Sequence, residues 1–171
     1  MKLDNAIRTA LEYEAGVQKA YREAMDKTSD EAGKRVFRAL GDEEMGHIQY
    51  LKERLDEWQK TGKINVKKLG TSIPTREVIN KSLQDLRKTV KPKATKLILE
   101  LELLKKALET ERKTSLFYKK MVSTLDGEGQ QLFRRFVEIE EGHEAIVQAE
   151  IDCVSSSGIF MDTLEFGLEV G

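Results

Sequence analysis

The chain has 171 residues, with 29 Lys and Arg against 30 Asp and Glu and a formal net charge of −1. That balance excludes the clustered basic footprint of a nucleic-acid binder. A single cysteine, Cys153, excludes an intrachain disulfide framework and any four-cysteine metal site. No apolar run reaches the roughly eighteen residues that a transmembrane helix needs, so no membrane association is expected. The opening stretch MKLDNAIRTALEYEAG lacks a signal-peptide core, and a reducing cytoplasm is the expected compartment.

Charged residues make up 35% and apolar residues 39%, which suits amphipathic helices with one buried stripe and long solvated faces. The spacing predicts a first helix over roughly 4–27, with Leu3, Ile7, Ala10, Glu14, Val17, Tyr21 and Met25 on its seam. Ser29 or Asp30 is placed to cap a second helix carrying Phe37, Leu40, Glu44, His47, Leu51, Leu55 and Trp58. Gly62, Asn65 and Gly70 break the pattern between 60 and 73. A shorter helix starts at Pro74 and Thr75 and is stopped by Pro92. The next long helix is expected over 93–125, with Leu97, Leu101, Leu104, Leu108, Glu111, Ser115, Tyr118, Val122 and Leu125 on its seam. DGEG, at 126–129, reads as a turn. The last helix carries Phe133, Phe136, Glu140, His143, Val147 and Val154 and ends near Ser155. Short turns make each neighbouring pair antiparallel, and one long connection joins the pairs. The fold class is therefore all-α, a four-helix bundle over 1–155 with a crossover at 60–92. The remaining tail, 156–171, includes Ile159, Phe160, Met161, Leu164, Phe166 and Leu168, too apolar for an idle terminus. It is expected to pack on the bundle or on a neighbouring subunit, with a homodimer as the expected assembly.

The two halves resemble each other. ALEYE at 10–14 answers ALETE at 107–111, and Tyr21 answers Tyr118. FRALGDEEMGH at 37–47 answers FRRFVEIEEGH at 133–143. This is the mark of a duplicated helical hairpin.

Glu14, Glu44, His47, Glu111, Glu140 and His143 all take seam positions otherwise held by apolar residues. Charges in a bundle core are costly unless paired or bound to metal. Four carboxylates supply −4 and two divalent ions supply +4, which would make a buried site neutral. Residues three apart share a helix face, so in Glu-x-x-His the carboxylate can bridge two ions while the imidazole ends on one. Oxygen-rich ligands with one imidazole per ion favour iron or manganese, with iron the first expectation.

A lone Glu on each of two helices, with Glu-x-x-His on each of the other two, resembles the di-iron carboxylate site of ferritin-like proteins. The Glu-x6-Tyr frame, Glu14 to Tyr21 and Glu111 to Tyr118, is similar to that of the rubrerythrin branch. The resemblance spans most of residues 3–154. It implies two iron ions per chain, with manganese or a mixed pair as alternatives. Glu14 and Glu111 would be terminal ligands, Glu44 and Glu140 would bridge, and His47 and His143 would each cap one ion. Tyr21 and Tyr118 would hydrogen-bond ligand carboxylates and count among the catalytic residues. The implied activity is reduction of hydrogen peroxide, or dioxygen, in oxidative-stress defence. The alternatives are ferroxidase or iron storage with the same ligands, and a non-enzymatic metal-binding protein. Rubrerythrins usually add a rubredoxin-like domain with four cysteines, which one cysteine cannot form. Electrons would then come from a separate rubredoxin-like protein. Leu108 and Thr114 stand where family members often carry an extra carboxylate, so the ligand exchange that depends on it is not implied.

Four further residues bear on such a site. Glu43 precedes Glu44 and is placed to orient His143, while its counterpart, Ile139, cannot do so for His47; a solvated Glu43 is the alternative. Gly46 and Gly142 either leave space for a small oxidant or allow close helix packing. Glu150, whose counterpart is Arg54, is expected in an ion pair at the end of the bundle. Cys153 is expected to be a small core residue, and Glu12 and Glu109 to be solvated.

Overall fold

The computed structural model describes residues 1–93 and 96–161. Its elements are helices: α1 (Leu3–Lys27), α2 (Glu31–Thr61), α3 (Arg76–Thr89), α4 (Ile98–Thr124) and α5 (Gly127–Ser157). The fold is all-α, and no strand occurs among the described residues. No helix among them is long and apolar enough to cross a membrane.

Asp30 caps α2, its side chain accepting from the Gly33 backbone N–H at 2.7 Å. Gly62 and Gly158 end α2 and α5 in the left-handed region, with φ of 69° and 65°, where a side chain would be strained. Two sequence expectations need correction. The helix expected over 93–125 begins only at Ile98, with Leu97 at its N-cap in a non-helical conformation, φ −89° and ψ 65°. DGEG is not a turn: Gly127 already opens α5, and only Leu125 and Asp126 separate α4 from it. That shorter link tightens the geometry. Glu14 lies fourteen residues before Thr28, Glu44 fourteen after Asp30, Glu111 fourteen before Leu125 and Glu140 fourteen after Asp126. At about 1.5 Å per residue, all four stand about 21 Å from their connections.

α1 packs on α2, α4 on α5 and α1 on α4, while α3 lies along α5 through the buried Ile79 and Leu83. The apolar core falls into two clusters. One, around Phe37, Leu40, Leu104 and Ile146, fills the end of the bundle near the α1–α2 connection. The other, around Ile7, Leu51, Phe117, Phe133 and Phe136, fills the end near the α4–α5 connection. Each fully buried Phe contributes about 1.5–3 kcal/mol of burial. The tail folds back as far as it is described: Phe160 packs edge-on against Phe37, and Met161 is fully buried. Leu164, Phe166 and Leu168 lie outside the described residues.

Candidate metal centre

Between the two apolar clusters lies a polar layer. Glu14, Glu44, Glu111, Glu140 and His143 are 0% exposed and His47 is 1% exposed. Each helix delivers its part for the same reason. The seam spacing that buries Leu, Ile and Phe on either side buries these six as well.

Among the described residues three groups could hold a metal ion: two lie within the layer, and one joins Glu43 to both histidines. Glu14, Glu44, His47 and Glu140 bring ligand atoms within 4.8 Å of one another, and so do Glu44, Glu111 and His143. Glu44 belongs to both groups, as a bridging carboxylate must. Glu140 stands with the first group only. His47 Nδ1 lies 3.2 Å from Glu14 Oε2 and 3.3 Å from Glu44 Oε2. His143 Nδ1 lies 2.8 Å from Glu44 Oε1 and 3.5 Å from Glu111 Oε1. The two imidazoles stack, with centroids 5.1 Å apart. Tyr21 donates its hydroxyl to Glu111, and Tyr118 donates to Glu14. Each phenol therefore reaches from one hairpin to the outer carboxylate of the other.

Among the protein groups alone, the charges of this layer are badly matched. Burial, reinforced by Glu44, pushes Glu14 up to about 8. Burial, with Glu111 and Glu14 adding to it, holds Glu140 well above the usual carboxylate range. Burial opposes the charge on His47, but the Glu44 and Glu14 carboxylates outweigh it and raise the imidazole to about 10. His143 is raised in the same way, chiefly by Glu44. Burial also works against the charged form of Glu44, but the two imidazoles and Glu14 overcome it and draw Glu44 well below its usual value. Both phenols are pushed well above their ordinary value by burial and by the carboxylates they touch, so they remain donors.

The side chains could hold a metal ion. Both oxygens of Glu44 and Glu140, Oε2 of Glu111, and Nδ1 of His143 have no hydrogen-bond partner among the described residues. Such atoms are costly to bury unless something binds them. Arg54, the one buried Lys or Arg among the described residues, donates to the Asn65 carbonyl instead.

The remaining expected residues fall in different places. Glu43 lies against both histidines, its Oε2 3.7 Å from His143 Nε2 and 3.9 Å from His47 Nε2. Neither glycine of the Glu-x-x-His frames serves helix-to-helix packing. A Cβ at Gly46 would meet nothing within 4 Å, and one at Gly142 would meet Ile73 and the Pro74 carbonyl of the crossover. Gly46 opens onto a cleft of about 200 Å³ that is also lined by Asp42, Glu43, His47 and Ser72. A larger cleft, about 490 Å³, lies between the crossover and α5 and touches none of the six layer residues. Glu150 accepts from the Met161 backbone N–H at 2.9 Å, tying down the tail. Cys153 is buried, Glu12 is exposed, and Glu109 is exposed and pairs with Lys113. Leu108 and Thr114 are both buried beside the layer, where Thr114 donates to the Thr110 carbonyl. The sequence reading passed over Thr71 and Ser72, which hold Glu43. They lie in a segment without periodicity, and nothing in their spacing marks them.

Comparison with protein-family models, with curated proteins and with solved structures returned no match. What defines the protein is thus its own architecture: an all-α helical bundle with buried Glu and His groups that could hold metal.

Proposed function

We propose that this chain is a rubrerythrin-like, ferritin-like di-iron oxidoreductase that reduces hydrogen peroxide, or dioxygen, with electrons from a separate redox protein. The observation that carries the reading is the pair of buried ligand groups sharing Glu44, each with its own imidazole and its own phenol-held carboxylate. In this reading Glu14 and Glu111 would be terminal ligands, Glu44 would bridge, Glu140 would bind from the side of the first group, and His47 and His143 would each hold one ion. Two ferrous ions, when bound, would supply the two electrons that O–O bond cleavage needs. The balance is one peroxide, two protons and two electrons to two waters.

The chain's own side chains do the rest. Tyr21 and Tyr118 keep the outer carboxylates from swinging, because each donates a buried hydroxyl that has no other acceptor as close. The two apolar clusters exclude bulk water from above and below the layer. The cleft at Gly46 is wide enough for a small oxidant and brings it to the edge of His47. One cysteine cannot build a four-cysteine iron site, and in this reading the reducing electrons come from a separate redox protein.

The test is metal content followed by single turnover. Protein reconstituted anaerobically with ferrous iron should hold two ions per chain. One equivalent of peroxide should oxidise both, faster than dioxygen does. No iron retained would overturn the proposal. Assembly into a shell of a dozen or more subunits that accumulates ferric mineral would replace it with iron storage.

A further inference from the structure

The two histidines turn different edges to different neighbours. Both Nδ1 atoms face the buried carboxylates. Both Nε2 atoms point the other way, and neither has a hydrogen-bond partner among the described residues. The same atom, Glu43 Oε2, lies 3.7 Å from one and 3.9 Å from the other, within about 1 Å of hydrogen-bond reach of both. One carboxylate can serve both rings because they stack 5.1 Å apart.

Glu43 is itself held from outside the bundle. Its Oε1 accepts from the Ser72 backbone N–H at 2.8 Å and the Ser72 hydroxyl at 2.5 Å, and its Oε2 accepts from the Thr71 hydroxyl at 2.8 Å. Those residues belong to the crossover between α2 and α3, which is pinned on either side of them. Arg135 Nε on α5 donates to the Leu69 carbonyl at 2.8 Å. Ile73 is buried and lies over Gly142 of α5, where even a Cβ would come within 3.5 Å of it. A carboxylate has room for about four hydrogen bonds. Three are taken by the crossover, and the one that remains, on Oε2, lies between the two imidazoles at nearly equal distance, so they share it.

We propose that Glu43 is a positioning residue for both imidazoles at once, and that Thr71 and Ser72 set its place, so that the crossover controls how firmly both ions are held. The inference rests on the dinuclear reading above. An imidazole that binds metal through Nδ1 must carry its proton on Nε2, and an acceptor there fixes both the tautomer and the ring. A single acceptor shared by both rings also accounts for Ile139, which takes the matching position on α5. A second carboxylate there would bring two like charges together beside the same pair of rings.

The experiment uses the full chain loaded with zinc, which is diamagnetic, and ¹⁵N-labelled histidine. With two histidines in the chain, each ring is resolved. The wild type should bind two zinc ions and show two slowly exchanging Nε2–H protons. Glu43→Ala should lose the slow exchange at both rings and release both ions about tenfold faster or more. Glu43→Gln, which keeps an acceptor, should restore most of the difference. Thr71→Val/Ser72→Ala should act in the same direction and more weakly, although neither residue touches a histidine. Two protected Nε2–H protons and unchanged release in Glu43→Ala would overturn the proposal, even if the variant melts earlier. A change at His143 alone would overturn the shared role. A wild type that binds no zinc would overturn the dinuclear reading, and this inference with it.

Discussion

Position 43 in the first hairpin is glutamate, and the matching position 139 in the second is isoleucine. Position 54 is arginine and its match, 150, is glutamate. Five other pairs carry the same residue in both hairpins: Glu14 with Glu111, Tyr21 with Tyr118, Gly33 with Gly129, Glu44 with Glu140, and His47 with His143. The mismatches at 43/139 and 54/150 fall where a segment present only once docks. Glu43 holds Thr71 and Ser72 of the crossover, Arg54 holds the Asn65 carbonyl at its start, and Glu150 holds Met161 of the tail. The matched residues are those that a twofold site needs twice. The unmatched ones serve the unduplicated segments.

The largest test of this comparison removes one matched pair. Glu44→Ala/Glu140→Ala should lower bound iron or manganese from two per chain to none, measured by elemental mass spectrometry. In chelator the same variant should melt lower than wild type, because Glu44 lies against both imidazoles and its loss leaves them buried without their nearest counter-charge. A variant that still binds two ions would show that the matched positions are not the ligands.

A pH series comes next. Glu14, raised to about 8, and His47, raised to about 10, both hold protons at pH 6 that a cation must displace. Raising the pH removes that competition, so affinity rises with pH, by about tenfold per unit for each proton released. Zinc titrations at pH 6, 7 and 8 check it, and a flat profile contradicts it.

The tyrosines sharpen the comparison. Tyr21→Phe and Tyr118→Phe each release one outer carboxylate, and each should weaken metal binding by about tenfold, on the scale of a hydrogen bond to a charged group. As twofold mates they should lose nearly equal affinity. A clear inequality would trace to Glu140, which stands with only one of the two groups.

The smallest effect separates two matched glycines. A Cβ at Gly33 would come within 2.8 Å of the Phe160 ring, whereas one at Gly129 would meet the Leu3 methyl at 3.1 Å and Leu125 no closer than 3.5 Å. Gly33→Ala should unseat the tail and lower the melting temperature by a few degrees, about what 1 kcal/mol costs a chain of this size. Gly129→Ala should leave it unchanged, since Leu3 can turn aside at the start of α1. Equal effects from both would mean that Phe160 contributes little to stability.

Much of this was legible in the sequence because it is periodic. Helix seams, the Asp30 cap and the six polar seam residues all follow from spacing, and the duplication relates one half to the other. The extent of α4 was not, because the residues around Pro92 carry no period. Nor was the start of α5: Asp-Gly-Glu-Gly has turn composition, yet Gly129 lies inside the helix, where the Leu3 side chain approaches its bare Cα. The placement of Glu43 beside both histidines was out of reach. It depends on the stacking of two rings and on a crossover whose path only the folded chain reveals.

The division of the core into two apolar clusters has a dynamic consequence. In most helices the ends fray and the middle is protected. Here each long helix has well-packed turns towards both ends and a turn of buried, incompletely hydrogen-bonded polar side chains between them. In chelator, backbone amides around Glu14, Glu44, Glu111 and Glu140 should therefore exchange with deuterium sooner than those a turn or two away on either side. Two bound cations should reverse that order and make the middle of the bundle its slowest-exchanging part.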